Sequence, residues 1–341
     1  MRALQLRGDR DLAIVELDNP PPPGHDEVQI SIGAVALNHI DVWGWRGMAF
    51  ARRKLPIVVG VEAAGTVTAV GDGVSDLAVG DIVALYGAET CGTCAACLAG
   101  RDNLCENVRG IRGFHIDGLA REVVNVPARL AIKAPEGVPM TSAACAPVTY
   151  GTPEHMLFDN AKLAAGQTIL IQAGGSGIGT AAIQLSKAVE ATVITTVGSA
   201  DKVDKAKALG ADHVINYREE RFEGVVRKLT QKRGVDVVFE HVGPDTFQPS
   251  MFCLKRGGVL VTCGSTTGVS SEINLFQLYQ QQLRLIGSFG CTIRNLRRSL
   301  EKMSEGIARP VIDSTVTLDD IGSALHRIES RQVFGKFIVT L

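Results

Sequence analysis

Residues Thr168 to Gly198 read TILIQAGGSGIGTAAIQLSKAVEATVITTVG. An apolar run over Thr168–Gln172 stops at Ala173-Gly174-Gly175-Ser176-Gly177-Ile178-Gly179. A helical periodicity follows to about Glu190, and a second apolar run covers Ala191–Val197. Strand, glycine turn, helix and strand in that order form the βαβ unit that holds a dinucleotide. Its glycines let the backbone approach a pyrophosphate, and the helix start offers unpaired N–H groups and the positive end of a dipole. The glycines are spaced G-x-x-G-x-G over Gly174, Gly177 and Gly179, not G-x-G-x-x-G, and a glycine turn alone also fits any tight loop in a parallel sheet. The flanking strand–helix–strand pattern selects the dinucleotide reading. Gly174, Gly175, Ser176, Gly177, Ile178 and Gly179 are its candidate contacts.

Downstream the alternation continues. Helices are expected over Asp201–Leu209, Glu220–Gln231 and Phe247–Lys255. Strands are expected over His213–Asn216, Val235–Glu240, Gly258–Cys263 and Leu283–Gly287. This predicts a doubly wound parallel sheet. Upstream, residues 1 to about 145 read as mostly β. The runs Glu27–Val35, Ala63–Val70, Asp81–Leu85 and Ala120–Val126 are separated by turns such as Pro20–Gly24 and Gly71-Asp72-Gly73. That pattern predicts a barrel-like β domain. A helix over Ile293–Gly306 leads back to it, followed by a helix Leu318–Ile328 and a strand Gly335–Val339.

The bulk properties bound the answer. At 341 residues the chain is long enough for two domains with separate cores. A net charge of −1, with no long basic run, argues against nucleic acid as a partner. No apolar stretch has membrane-spanning length, and the first residues lack the apolar core of a signal peptide. The expected compartment is the cytoplasm and the expected partner a small-molecule substrate. There, eight cysteines are thiols or metal ligands rather than disulfides.

Cys91-Gly92-Thr93-Cys94-Ala95-Ala96-Cys97 is followed by Cys105. The small residues and turns between these cysteines let all four thiolates converge on one tetrahedral ion. Four sulfur ligands leave no open position, so the expected site holds one structural zinc per chain. Unrelated free thiols or disulfides are the competing readings.

Cofactor choice is read at the end of the second strand, where an acidic residue would bind the ribose 2′-OH of NAD. About twenty residues beyond the turn stand Gly198 and Ser199, and neither is acidic. A small residue there leaves room for a 2′-phosphate, which Ser199 can donate to and Lys202 can neutralise. The competing reading of Lys202 is a solvated helix residue. The combination favours NADPH. Asp201 opposes it, either as a helix N-cap or as a negative charge near that phosphate.

Over essentially its full length the chain resembles the medium-chain dehydrogenase/reductase superfamily. The resemblance implies an α/β fold class. A β-rich GroES-like substrate/catalytic domain is expected over residues 1–146 and 293–341, with a zinc lobe at about 89–107. A Rossmann NADP-binding domain is expected over 147–292. In the zinc alcohol dehydrogenases of the superfamily a catalytic zinc takes a Cys in a C-x-x-D stretch, a His in a G-H-E stretch and a third ligand near the nucleotide domain. Here the first stretch is Asn38-His39-Ile40-Asp41, and the second is Gly60-Val61-Glu62. Only Cys145 stands where the third ligand would. Valine cannot ligate a metal and an amide is a poor zinc ligand.

That combination is similar to the quinone oxidoreductase-like branch, with a zinc lobe added. The branch implies that Lys202 and Tyr217 hold the NADPH 2′-phosphate. Val242, Cys263 and Gly264 complete the candidate cofactor contacts. Without zinc to stabilise an alkoxide, the expected reaction is hydride transfer from NADPH to an activated C=C or a quinone. Charge then develops on a conjugated oxygen, where hydrogen-bond donors can hold it. Asn38, Cys145 and Tyr150 are the candidate catalytic residues, Tyr150 as a proton donor or, as an equal alternative, as a partner in a structural hydrogen bond. His39, Asp41 and Glu62 are further polar groups of the same region. By family analogy Trp43, Trp45, Arg46, Arg52, Arg53 and Lys54 lie near a cleft mouth; their charge would suit a phosphorylated carrier such as CoA, but a solvated loop is the favoured reading.

Two other classes compete. One is a zinc alcohol or aldehyde dehydrogenase with displaced ligands such as His39, Glu62 and Cys145. The other is a non-catalytic dinucleotide-binding module. The apolar sheet edge at Leu283–Gly287 suggests a homodimer, with a homotetramer as the alternative.

Overall fold

Val28, Ile30, Ile32 and Ala34 are buried while the residues between them are more exposed, the period-two pattern of a strand with one face on a core. Strands of this kind build most of the first of two units in the computed structural model, which describes residues 1–47 and 53–341. That unit comprises Met1–Gly151, Cys291–Gly306 and Pro310–Leu341; the other comprises Thr152–Gly290 with Ile307–Arg309.

In chain order the first unit begins with β1 (Arg2–Gly8), β2 (Asp11–Glu16), β3 (Glu27–Ala36), β4 (Ile57–Val58) and β5 (Ala63–Val70). It continues with β6 (Ile82–Leu85), β7 (Ala88–Glu89), β8 (Gly110–Ile111), β9 (Val123–Pro127) and β10 (Ala131–Lys133). The second unit contributes β11 (Thr168–Ile171), β12 (Thr192–Val197), β13 (His213–Asn216), β14 (Val235–Glu240), β15 (Leu254–Thr262) and β16 (Arg284–Gly287). The chain then returns to the first unit for β17 (Ile312–Val316) and β18 (Lys336–Thr340).

The main sheet of the first unit has seven strands in the order β10-β6-β5-β3-β18-β17, with β9 also pairing β3. A smaller sheet, β2-β1-β4, packs into the same core, which includes Leu6, Val35, Trp45, Leu85, Val124 and Phe337. The second unit holds a six-stranded parallel sheet in the order β13-β12-β11-β14-β15-β16. Strand order reverses between β11 and β14, the switch point at which open α/β sheets bind ligands beyond the strand ends. The glycine turn follows β11, and Val242-Gly243 follows β14.

Several elements differ from the sequence expectation. The hairpin β1–β2, the helix His39–Arg46, β17 and the helix Leu275–Gln280 were not anticipated. The helix expected over Phe247–Lys255 runs instead over Pro244–Phe252. Gly243 (φ 105°) turns the chain, and Pro244 opens the helix, where its missing N–H costs nothing. Leu254 and Lys255 belong to β15.

Candidate functional site

Asn38 ends the approach from β3 and caps the helix His39–Arg46. Its backbone N–H donates to Asp41 Oδ2 at 2.8 Å. Both hydrogens of its side-chain amide are taken, one by Ala36 O and one by Glu62 Oε2, each at 2.9 Å. Its Oδ1 accepts from Lys336 Nζ at 2.8 Å. One lone pair on Oδ1 is all the hydrogen-bonding capacity that Asn38 retains toward a ligand. It can accept from a bound molecule but cannot donate to a developing oxyanion.

Glu62 is fully buried. Its Oε1 accepts the amides of Val148 at 2.6 Å and Thr149 at 2.7 Å. Its Oε2 accepts Thr149 Oγ1 at 2.8 Å, Asn38 Nδ2 at 2.9 Å and Lys336 Nζ at 3.4 Å. Val148 and Thr149 lie in a π-helical turn, Ala146–Tyr150. The opening amides of such a segment lack acceptors within it. The carboxylate supplies them and sits at the positive end of the segment dipole.

Lys336 was absent from the sequence reading. It heads β18 with 3% exposure, and its three donors go to Leu37 O (2.5 Å), Asn38 Oδ1 and Glu62 Oε2. Gly335 before it has φ 98°, and a Cβ there would lie 2.2 Å from Val311 O. Only glycine can make this turn, and the turn aims the next side chain inward. The available signal was a lysine immediately after a glycine and heading an apolar run, Phe337–Val339.

This knot bears on the metal question through its donor chemistry. The Glu62 lone pairs are occupied by five protein donors, and Val61 offers none. Cys145 is fully buried, and burial first, then the Glu62 charge, hold its thiol well above the ordinary thiol range. The set His39, Glu62 and Cys145 is therefore not a zinc site. Two expectations are corrected here. Cys145 and Tyr150 both have 0% exposure, so neither presents an atom to a substrate in this structure.

Asp41 is 7% exposed. Burial raises its pKa to about 7, against the opposing effects of the Asn38 N–H and Lys336. A carboxyl raised in this way binds its proton more tightly folded than unfolded. Stability is highest below the ordinary aspartate range and falls as pH rises through about 7. An Asp41→Asn variant is expected to lose that slope, on the order of 4 kcal/mol across the window. Urea unfolding at pH 4.5, 6 and 8 (arbitrary points, spaced about evenly over the titration) checks it; equal slopes in both proteins would remove Asp41 as the cause.

The expected cationic rim is not assembled as anticipated. Trp45 is 2% exposed, with the Arg10 guanidinium over its ring at 4.4 Å. Arg53 donates to Gly44 O and to Asp9, and Arg46 lies 3.6 Å from Glu329. Trp43 meets His39 edge-on at 5.5 Å. Arg52 lies outside the described residues.

The four cysteines do converge. Their sulfurs all lie within 4.8 Å of one another, with Cys91 3.5 Å from Cys105 and 4.0 Å from Cys97. Tetrahedral zinc with sulfur at about 2.3 Å needs separations of about 3.8 Å. Amides of Thr93 and Cys94 point at Cys91 Sγ, at 3.4 and 3.3 Å, and the Cys91 amide at Cys105 Sγ, at 3.2 Å. Such donors favour thiolates. Among the described residues this is the only cluster of His, Cys, Asp or Glu close enough to hold an ion.

In the second unit Ser176 caps the helix Gly177–Ala188, its Oγ accepting from Gly179 N at 3.0 Å. Gly174 leaves no room for a side chain, since a Cβ would fall 2.2 Å from Thr195 Oγ1. At Gly264 a Cβ would fall 2.6 Å from His241 O. The Val242 amide is held by Glu240, and the Cys263 amide reaches Glu240 O at 3.3 Å. At the end of β12 a Cβ on Gly198 would meet Tyr217 Oη at 2.3 Å, so the tyrosine covers this glycine. Lys202 is half-buried one turn on. Ser199 first, with Lys205 and Lys202, holds the Asp201 carboxyl below its ordinary range.

These features meet in known proteins. Residues 24–136 match the alcohol dehydrogenase GroES-like domain and residues 177–305 match the zinc-binding dehydrogenase model. A quinone oxidoreductase of Salmonella typhimurium is 32% identical over 80% of this chain and 75% of its own. An acryloyl-coenzyme A reductase of Sulfurisphaera tokodaii is 29% identical over 99% of both. Among solved structures, an NAD-dependent alcohol dehydrogenase is 35% identical with a TM-score of 0.94 and full coverage of both chains. A zinc-binding dehydrogenase of Sinorhizobium meliloti bound to NADP is 28% identical with a TM-score of 0.89, covering 100% of this chain and 99% of that one. The chain belongs to the medium-chain dehydrogenase/reductase superfamily of zinc-binding dehydrogenases, in its quinone oxidoreductase-like branch. It is an oxidoreductase.

Proposed function

We propose that the protein is an NADPH-dependent reductase acting on an activated acceptor, namely an α,β-unsaturated carbonyl, an enoyl-CoA thioester or a quinone, without catalytic zinc. The observation that carries this is the saturated Glu62 carboxylate, closed by Lys336, Asn38, Thr149 and two amides where a metal would need open lone pairs. The names of the reductase relatives support the acceptor class, and the NADP-bound neighbour supports the cofactor.

In this reading residues 1–146 and 293–341 handle the substrate and 147–292 the dinucleotide. NADPH, when bound, supplies the hydride. Gly174–Gly179 would take its pyrophosphate, Gly198, Ser199, Lys202 and Tyr217 its 2′-phosphate, and Val242, Cys263 and Gly264 would border its other end. Asn38 Oδ1 would accept one hydrogen bond from the bound molecules. Cys91, Cys94, Cys97 and Cys105 would hold one structural zinc. We place the protein in the cytoplasm, as a homodimer on the β16 edge. The exposed Leu275, Phe276 and Tyr279, at 68%, 59% and 67%, support that assembly; a solution mass of one chain would remove it.

Steady-state rates over quinones, enones and short enoyl-CoA thioesters, with NADPH and NADH compared, test the activity. Turnover of one acceptor class, NADPH preferred by about tenfold or more (roughly 1.4 kcal/mol), is expected, with one zinc per chain. A second reading is NAD-linked alcohol oxidation. The NAD-dependent alcohol dehydrogenase neighbour and the negative charge of Asp201, two residues beyond Ser199, favour it. Alcohol oxidation with NAD and two zinc ions per chain would establish it over the first.

A further inference from the structure

A single file of hydrogen bonds runs beneath the two turns at the switch point. The Ala173 amide donates to Thr196 Oγ1 at 3.0 Å, and Thr196 Oγ1 donates to Gln172 Oε1 at 2.7 Å. Gln172 Nε2 donates to Ser250 Oγ at 2.9 Å, and Ser250 Oγ donates to Glu240 Oε2 at 3.1 Å. Glu240 Oε1 directly accepts the amides of Val242, at 2.6 Å, and Gly243, at 3.1 Å. Thr196, Gln172, Ser250 and Glu240 are all at most 1% exposed.

The direction of this file is fixed by its ends. An amide can only donate and a carboxylate can only accept, so each hydroxyl and the Gln172 amide between them must pass its hydrogen the same way. Away from water such a chain is mutually polarising, and any broken link strands a buried donor or acceptor.

We propose that Glu240 is a positioning residue for the dinucleotide site, setting the turn after β11 and the turn after β14 as one unit. It holds Val242 and Gly243 by direct bonds, and Ala173 through Ser250, Gln172 and Thr196. The inference rests on the reading that these turns hold the dinucleotide. The Ala173 backbone, at φ 50°, precedes the first glycine of the turn. The orientation of its peptide decides where the following amides point. The buried carboxylate fixes that orientation from across the sheet, without touching the ligand.

Thr196→Val keeps the shape of the side chain and deletes the link, whereas Thr196→Ser keeps the hydroxyl. NADPH and NADH binding followed by nicotinamide fluorescence is expected to weaken about tenfold in Thr196→Val, the scale of one lost buried hydrogen bond. Thr196→Ser should stay within about twofold of the parent protein. Ser250→Ala breaks the file far from the turn. Hydrogen exchange of the free protein should then speed up in the peptide carrying Ala173, although Ser250 does not touch it. Unchanged binding in Thr196→Val, equal weakening in Thr196→Ser, or unchanged exchange in Ser250→Ala would overturn the inference. If the parent protein binds neither dinucleotide, the reading of the turns fails instead, and the exchange result alone still decides whether the file acts as a unit.

Discussion

Lys336→Met is expected to destabilise the first unit by about 3–5 kcal/mol, the cost of leaving a buried charge without its partner. The Lys336 ammonium and the Glu62 carboxylate are 3% and 0% exposed, and Nζ also binds Leu37 O and Asn38 Oδ1. Methionine fills much the same volume and donates nothing, so three acceptors lose a hydrogen bond together. The double variant Lys336→Met/Glu62→Gln should recover part of the loss, because it removes the uncompensated charge. It should not recover all of it, since an amide cannot accept every donor that now converges on Glu62. Both tryptophans of the chain, Trp43 and Trp45, belong to this unit. Their fluorescence during denaturant unfolding therefore reports the first unit directly. A single variant within about 1 kcal/mol of the parent, inside the range of exposed ion pairs, would show that the knot is not an energetic unit. The same variant removes one of the three bonds that fix the Asn38 amide, so the acceptor KM should rise along with the loss of stability.

The second large effect is expected in the cysteine lobe. Cys97→Ser removes the buried member of the four-sulfur cluster and should lower zinc from one ion per chain to none. Structural zinc contributes about 10–16 kcal/mol to the folding of small metal-dependent peptides. The lobe has little else to hold it: one short helix, Ala95–Leu98, one turn of 3₁₀ helix, Asp102–Leu104, and several exposed side chains. Loss of metal should open residues 91–105 to proteolysis before the rest of the unit unfolds. Limited proteolysis with metal analysis reads both effects. A zinc-free variant with the parent cleavage pattern would show that the backbone holds the lobe by itself. Because four thiolates fill a tetrahedral ion, no direct effect on the chemical step is expected while the lobe stays folded.

The second unit was largely legible in the sequence, and for a physical reason. Its parallel strands are covered on both faces and therefore read as continuous apolar runs; β13 and β14 begin and end where those runs do. The first unit was harder. In β1, Gln5 and Arg7 break the apolar run, β2 has only four apolar residues between Asp11 and Glu16, and the helix His39–Arg46 is short and contains Gly44. The cysteine cluster was legible from spacing alone. The knot at Glu62 was only half legible. Asn38 and Glu62 stand at motif positions, but Lys336 is 274 residues from Glu62, and a lysine at the head of a strand reads as a solvent-facing charge.

β18 has a consequence for how the protein is made. It lies between β3 and β17, and its residues Ile338–Thr340 pair with Ala34–Ala36. A ribosome releases β3 early and β18 only after every strand of the second unit has emerged. Throughout that interval Ala34–Ala36 remains an open sheet edge, the kind of surface on which nascent chains pair wrongly. The cation that neutralises Glu62 arrives with the same late segment. The second unit, whose sheet needs no residue beyond Gly287, can therefore fold first, while the first unit waits for this late segment to acquire both its last central strand and its internal charge balance.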